Sequence, residues 1–330
     1  MKILFINNDP VHAWPVLRAR PYASSLGIEI DAHQEASPQS VLKYLSGSYD
    51  LLLIHQELMS DDVLTCGRPV AILERIDGAQ LGTSRRWISD VAAIWKGYSF
   101  VDPRDHNRYR GRRHAHQLKA AGIDAFESVA IPGRPTPQLS DSDLAKIQTW
   151  YGFGAYQKEE HLWADPVDYR APRPVPVHFA GTVEYRGSEV ETHRKCAERV
   201  AASVPGGIGR AGRPFRKGDY AATMRKSKTV LCPFGWGESA HRDYESMLLG
   251  CVVLKPDCSA VDCWPNIYVD GETYIKCRED FEDVPDIVER VATDWKCYRN
   301  MRQHCRRLAL EAGNAQRIAE RLADLAGRVP

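Results

Sequence analysis

Arg242 and Glu245 stand three residues apart, just past a glycine-rich loop, Pro233-Phe234-Gly235-Trp236-Gly237. On a helix that spacing sets both side chains on one face. A guanidinium presents a fork of N–H donors that matches phosphate oxygens, and backbone N–H groups at a helix start favour an anion. A carboxylate one turn further along suits a pair of hydroxyls. The chemistry implied is the gripping of a ligand that carries phosphate and hydroxyls side by side. A solvated i, i+3 salt bridge is the commoner fate of such a pair. The flanking glycines and the tryptophan are harder to explain by surface solubility.

The elements around this pair have a definite grammar. Residues 229–232 form a short apolar, β-branched run, then comes the glycine loop, then a helical stretch ending at Gly250, then a second apolar run at 251–254. Strand, turn, helix, strand is the βαβ unit of a parallel sheet. Gly250 fits the left-handed position that closes a helix. Upstream, 177–180 reads as a strand, followed directly by Gly181 and Thr182, where the backbone can approach a diphosphate. Arg186 and Arg194 lie close enough in sequence to help neutralise it. Residues 189–203 and 219–227 read as helices. The formal match Gly207-x-Gly209-x-x-Gly212 is rejected as a dinucleotide fingerprint, because it follows a helix and runs into Pro214.

The first half of the chain repeats the strand rhythm, at 2–6, 28–32, 49–55, 69–73, 91–95 and 126–131, with a short helix over 37–46 capped at Ser37-Pro38. Residues 7–15 read as a polar loop at the carboxyl edge of the first strand, where ligands of open α/β sheets bind. His12 and Trp14 in it are candidates for an acceptor pocket, with a plain turn as the competing reading. Glu74 and Asp77 follow the fourth strand. Chemistry that moves a group onto a hydroxyl needs a base to take that hydroxyl's proton. Asp77, next to Gly78, is the first candidate and Glu74 the second; a turn or N-cap aspartate competes with the role. Residues 102–119 form the one dense basic run, suited to an anionic acceptor or to nucleic acid. Only Tyr109 interleaves its arginines, so stacking on single strands is weakly supported and a solvated helix face is the blander reading. Residues 139–154 are expected to contain a capped helix starting near Ser140. The proline-rich 164–176 is the expected linker. Further on, 264–268 reads as a strand, and 283–294, 295–312 and 315–326 as helices.

Composition sets bounds. A chain of 330 residues with 43% hydrophobic and 26% charged residues has the profile of a soluble protein with a core, long enough for two domains. A net charge of +1 implies no global polyelectrolyte partner. No run is long enough to span a bilayer, so the expected place is the cytoplasm, with any membrane role peripheral. Nine cysteines without a C-x-x-C pair suit a reducing compartment, and their spacing is wrong for zinc.

The pattern P-x-G-x-G, four residues, R-x-Y-E, four residues, G is filled by Pro233, Gly235, Gly237, Arg242, Tyr244, Glu245 and Gly250. It resembles the donor-binding half of GT-B glycosyltransferases of the exostosin-like, CAP10-like and bacterial family 1 kind. The similarity extends through VHFAGTVEYRG at 177–187 and CWPNIYVDGETYIKC at 263–277, roughly the second half of the chain. The resemblance implies an α/β GT-B fold: two Rossmann-like domains facing across a cleft. The implied division is an acceptor-side domain at 1–168, a nucleotide-sugar domain at 175–312, and a last helix at 313–330 that crosses back to the first. It also implies that Arg242 meets the diphosphate, that Glu245 holds the ribose hydroxyls, and that Gly235, Trp236, Gly237, Glu238 and Tyr244 belong to the donor site. The class works without a metal or a resident cofactor. The partners implied are a nucleotide-sugar, expected to be UDP-linked, and a hydroxyl-bearing acceptor such as a glycan. The retaining members carry two glutamates eight positions apart; here Glu238 and Glu245 are seven apart, so the stereochemical outcome stays open. A nucleotide-sugar epimerase on the same fold, and a non-catalytic glycan- or nucleic-acid-binding protein derived from a transferase, are the alternatives.

Overall fold

The computed structural model describes residues 1–74, 79–109, 113–123, 138–152, 165–185, 188–212 and 216–330. Two parallel sheets carry the chain. The first contains β1 (Lys2–Asn7), β2 (Glu29–Gln34), β3 (Leu51–His55), β4 (Val70–Glu74), β5 (Ala93–Lys96) and, at its edge, β7 (Ile147–Thr149), in the order β2-β1-β3-β4-β5-β7. The second contains β8 (Val175–Gly181), β9 (Ile208–Ala211), β10 (Ser227–Leu231), β11 (Val252–Lys255) and β13 (Ile275–Lys276), in the order β13-β11-β10-β8-β9. A two-stranded antiparallel ribbon, β6 (Tyr98–Phe100) with β12 (Val261–Cys263), joins the two halves. The central strands β3 and β4 are buried along their whole length, as strands covered on both faces must be.

Helices cover the sheets: α1 (Pro10–Ala23), α2 (Glu189–Ser203), α3 (Lys217–Arg225), α4 (His241–Leu248), α5 (Val284–Thr293), α6 (Arg299–Ala312) and α7 (Ala315–Gly327). The last of these, α7, lies against α1 of the first half. Its residues Ile318, Leu322 and Leu325 share one core with Ala13, Val16 and Ala19. Within the described residues no helix is long and apolar enough to cross a membrane.

Three local readings of the sequence need correction. The expected loop at 7–15 is mostly the first turns of α1, whose first bond runs from Ala13 N–H to Asp9 C=O at 3.0 Å. Pro10 is at home at a helix start, but Pro15 and Pro21 lie inside, where each removes a donor. The helix survives because Ala13, Val16, Ala19 and Ala23, all fully buried, recur on one face. The capped helix expected within 139–154 does start after Ser140, but it is a single turn, Asp141–Leu144, followed by strand β7. Residues 264–268 are not a strand: only Trp264 makes an isolated bridge, to Tyr151. The strand expected at 126–131 lies outside the described residues. By contrast Gly250 has φ +69°, the left-handed end of α4 anticipated for it, and 208–211 is a strand rather than a nucleotide loop.

Candidate functional site

In the second sheet β8 and β10 are neighbours, yet the chain leaves them in opposite directions, β8 toward β9 and β10 toward β11. That is a topological switch point, and the crevice beyond the carboxyl ends of such a strand pair is where open α/β sheets bind ligands. The loop from Cys232 to Ala240 and the start of α4 fill one side of this crevice. Ala180, Gly181 and Thr182 fill the other.

Arg242 enters from the first turn of α4. It is 8% exposed, donates from Nη2 to the Ala180 carbonyl at 2.7 Å, and lies 4.8 Å over the Phe179 ring. Its Nε and Nη1 find no hydrogen-bond acceptor among the described residues. Gly181 makes room for it: a Cβ there would come within 2.4 Å of Nη2. A second arginine, Arg194 of α2, reaches the same crevice. It donates to the Thr182 carbonyl at 3.0 Å and the Tyr185 hydroxyl at 2.8 Å, and sits 4.8 Å over the Tyr185 ring. Burial, and then the nearby charge of Arg242, pull its pKa down to about 10. Neither arginine has a carboxylate within salt-bridge distance among the described residues. Two cations side by side in a crevice repel each other, and an anion that enters between them relieves that repulsion.

Glu245 is half-buried one turn along α4 and accepts the Tyr220 hydroxyl at 3.0 Å. Around these groups the cleft encloses about 330 Å³, lined also by Trp236, His241 and, from the first half, Tyr98 and Gly152. Trp236 is 40% exposed and meets Tyr185 edge-on, with ring centroids 5.6 Å apart. The glycine loop is pinned from below. Phe234 N–H donates to His193 Nδ1 at 3.2 Å, and Gly235 N–H to Gly237 C=O at 3.0 Å.

The helix start is anchored by a buried ion pair. Asp243 and Lys255 are both fully buried, with Lys255 Nζ 3.1 Å from the carboxylate. The same carboxylate accepts Ala240 N–H at 3.1 Å, one half of a capping box, and the Tyr268 hydroxyl at 2.7 Å. Every oxygen lone pair so engaged fixes the angle at which α4 delivers Arg242 and Glu245.

The other expected site residues are distributed as follows. Gly181, Thr182, Gly235, Trp236, Arg242 and Glu245 come together at the crevice. Gly237 closes the loop turn. Tyr244 is a core side chain, 1% exposed, packed below the crevice. Glu238 is fully buried at the seam between the halves, where Oε2 accepts Ala79 N–H at 3.2 Å. Arg186 and Asp77 lie outside the described residues, as does the side chain of His12. Trp14 is half-buried on α1, its ring centroid 6.4 Å from Tyr151 and Arg18 4.9 Å over it. Glu74 is 4% exposed, tied to Lys96 Nζ, to the Ser84 hydroxyl and to Gly82 N–H at 2.8 Å. A carboxylate with those partners is a structural anchor, poorly placed to take a proton from an acceptor. Tyr98, Gly152 and Tyr220 were not expected. Tyr220 sits on a helix whose sequence gives no sign of it. Tyr98 and Gly152 reach the cleft only because the β6–β12 ribbon docks the halves.

No family model matches the chain, and the search of curated proteins found no match. Solved structures are similar in fold. The OtsA apo structure superposes at TM-score 0.51 with 9% identity, over 98% of this chain and 99% of that one. The N-terminal domain of Candida albicans trehalose-6-phosphate phosphatase gives TM-score 0.49 at 8% identity, over 100% of this chain and 97% of that one. The S. aureus MnaA–UDP co-structure gives 0.45 at 12% identity, over 97% and 94%. At these identities the likeness concerns the fold alone. The architecture is GT-B: two Rossmann-like domains facing across a cleft.

Proposed function

We propose that the protein is a glycosyltransferase that binds a nucleoside-diphosphate sugar in the second domain and moves the sugar to a hydroxyl of an acceptor held by the first. Within GT-B the loop and helix motif favours the exostosin-like and CAP10-like group. The observation that carries the reading is the pairing of Arg194 and Arg242 at the switch point, without an acidic partner among the described residues and one turn from Glu245. An acceptor oxygen attacks the anomeric carbon, the bond from that carbon to the diphosphate breaks, and the hydroxyl proton passes to a base. The departing diphosphate gains negative charge. Cations fixed beside it stabilise the transition state more than the ground state. Arg242 and Arg194 take that role without a metal ion, and Glu245 accepts from the ribose hydroxyls. Uridine is the base we place first.

The test is calorimetric titration with UDP in the presence of a chelator, on the native protein and on Arg242→Ala. Binding that weakens by about tenfold or more in the variant supports the reading. Absence of binding by any nucleoside diphosphate overturns it. Incubation with a nucleotide-sugar alone separates the transferase from an epimerase, since only the latter makes an epimer without acceptor.

A further inference from the structure

A second cavity, of about 610 Å³, opens on the opposite end of the second sheet, at the amino ends of β8 and β10. Its floor is the proline-rich segment that leads into β8, and its wall is the start of α6. Six cations line it: Arg170, Arg173, Lys228, Lys296, Arg299 and Arg302. Among the described residues no carboxylate lines it, and none of the six has a salt bridge. Such density is unusual, because like charges this close cost stability unless something compensates them.

Two of the six are buried. Arg302 is 1% exposed, lies 3.9 Å over the Trp295 ring, and donates from Nε to the Gly250 carbonyl at 2.7 Å. Arg173 is 5% exposed and donates to the carbonyls of Ser227 at 2.8 Å and Leu249 at 2.6 Å. Arg302 Nη2 and Arg173 Nε are buried without an acceptor among the described residues. Burial, and then the charge of Arg173, draw the Arg302 pKa down to about 10. Unpaired guanidinium N–H groups buried beside a cavity favour an anion there.

We propose that this cavity is a second anion site, built for a ligand carrying two or more phosphate groups. The volume suits a small molecule, and six uncompensated cations exceed what one phosphate balances. The four outer cations hold the ligand's periphery; Arg173 and Arg302 supply the buried N–H groups. Both arginines also hold carbonyls at the C-terminal end of α4, the helix whose other end presents Arg242 and Glu245. A ligand here therefore bears on the helix that builds the cleft at the switch point.

Inorganic tripolyphosphate is the probe, titrated calorimetrically at fixed ionic strength. The native protein is expected to show two classes of site, and Arg242→Ala to keep one. Adding Lys296→Gln and Arg299→Gln to Arg242→Ala is expected to weaken the remaining class by about tenfold or more. Both side chains are exposed, so folding is preserved. Arg317→Gln on α7 with Arg328→Gln just past its end, an equal loss of charge, is expected to leave it alone. If the Lys296 and Arg299 changes leave the remaining class unaltered, the site is wrong. If Arg242→Ala removes no class while they remove one, the cleft assignment fails and this one stands. Sedimentation with phosphatidic acid vesicles identifies the source of the phosphate: capture abolished by the same double change points to a lipid headgroup, and no capture to a soluble polyphosphate.

Discussion

The carboxyl ends of the two sheets treat charge in opposite ways. In the first, Glu74 at the end of β4 and Lys96 at the end of β5 are buried against each other, their side chains 0% and 1% exposed, and each has further partners. In the second, Asp243 and Lys255 repeat that closed arrangement beneath the surface. Above them Arg242 and Arg194 have no salt-bridged acid among the described residues. Closed pairs hold geometry, because both charges are already compensated. Cations without a salt-bridge partner are a cost to the empty protein that an anionic ligand reduces. The contrast separates scaffold from site without reference to any other protein.

Breaking a closed pair should therefore strike stability hardest. Lys96→Ala leaves the Glu74 carboxylate buried and uncompensated, at a cost of about 3–5 kcal/mol, read as a lowered urea midpoint. Lys96→Met with Glu74→Gln should recover most of that loss. A midpoint that hardly moves in Lys96→Ala would mean that the pair is not what holds this end of the sheet. An open arginine should show the reverse profile. Arg242→Ala should weaken UDP binding by about 1.5–3 kcal/mol, the range of a charged hydrogen bond, with a smaller change in unfolding than Lys96→Ala. Gly181→Ala sharpens the same point at lower amplitude. The added Cβ would come within 2.4 Å of Arg242 Nη2, so the guanidinium must shift. UDP affinity should fall by about 1 kcal/mol. In the Arg242→Ala background the same change should cost nothing further, since coupled sites are not additive.

What could be read from the residues was what depends on local pattern. The strand runs at 49–55, 69–73 and 229–232 and the helix closed by Gly250 follow from burial and from one left-handed position. The pairing of Arg242 with Glu245 follows from helical spacing alone. The helix α1 was hidden because its prolines mark a break, while the small residues that override them pay off only against α7, some three hundred residues away in sequence. Tyr98 and Gly152 were hidden for the same kind of reason: they reach the cleft through a ribbon formed between domains. The closed nature of the Glu74 pair depended on Lys96, whose charge reads as exposed until β5 is known to be central. Local chemistry is legible from one segment; compensation between segments is not.

The smallest effect compares two histidines, one in each half. His106 is 1% exposed, 3.1 Å from the Ser99 hydroxyl, and its pKa is pushed down to about 3 by burial and then by Lys96. His178 of β8 is fully buried and pushed down to about 4 by burial and then by Arg242. Both are neutral in the folded protein near neutral pH. In the unfolded chain each takes up a proton near pH 6.5. Between there and pH 3–4 the unfolded state binds more protons, so stability is full above about pH 6.5 and is lost as pH falls through that window. The two should respond differently to ligand. A diphosphate beside Arg242 offsets the charge that depresses His178 and does nothing for Lys96 near His106. Saturating UDP should therefore raise the His178 titration followed by NMR and leave His106 where it was. Equal shifts at both histidines, or none at His178, would place the anion somewhere other than the open end of the second sheet.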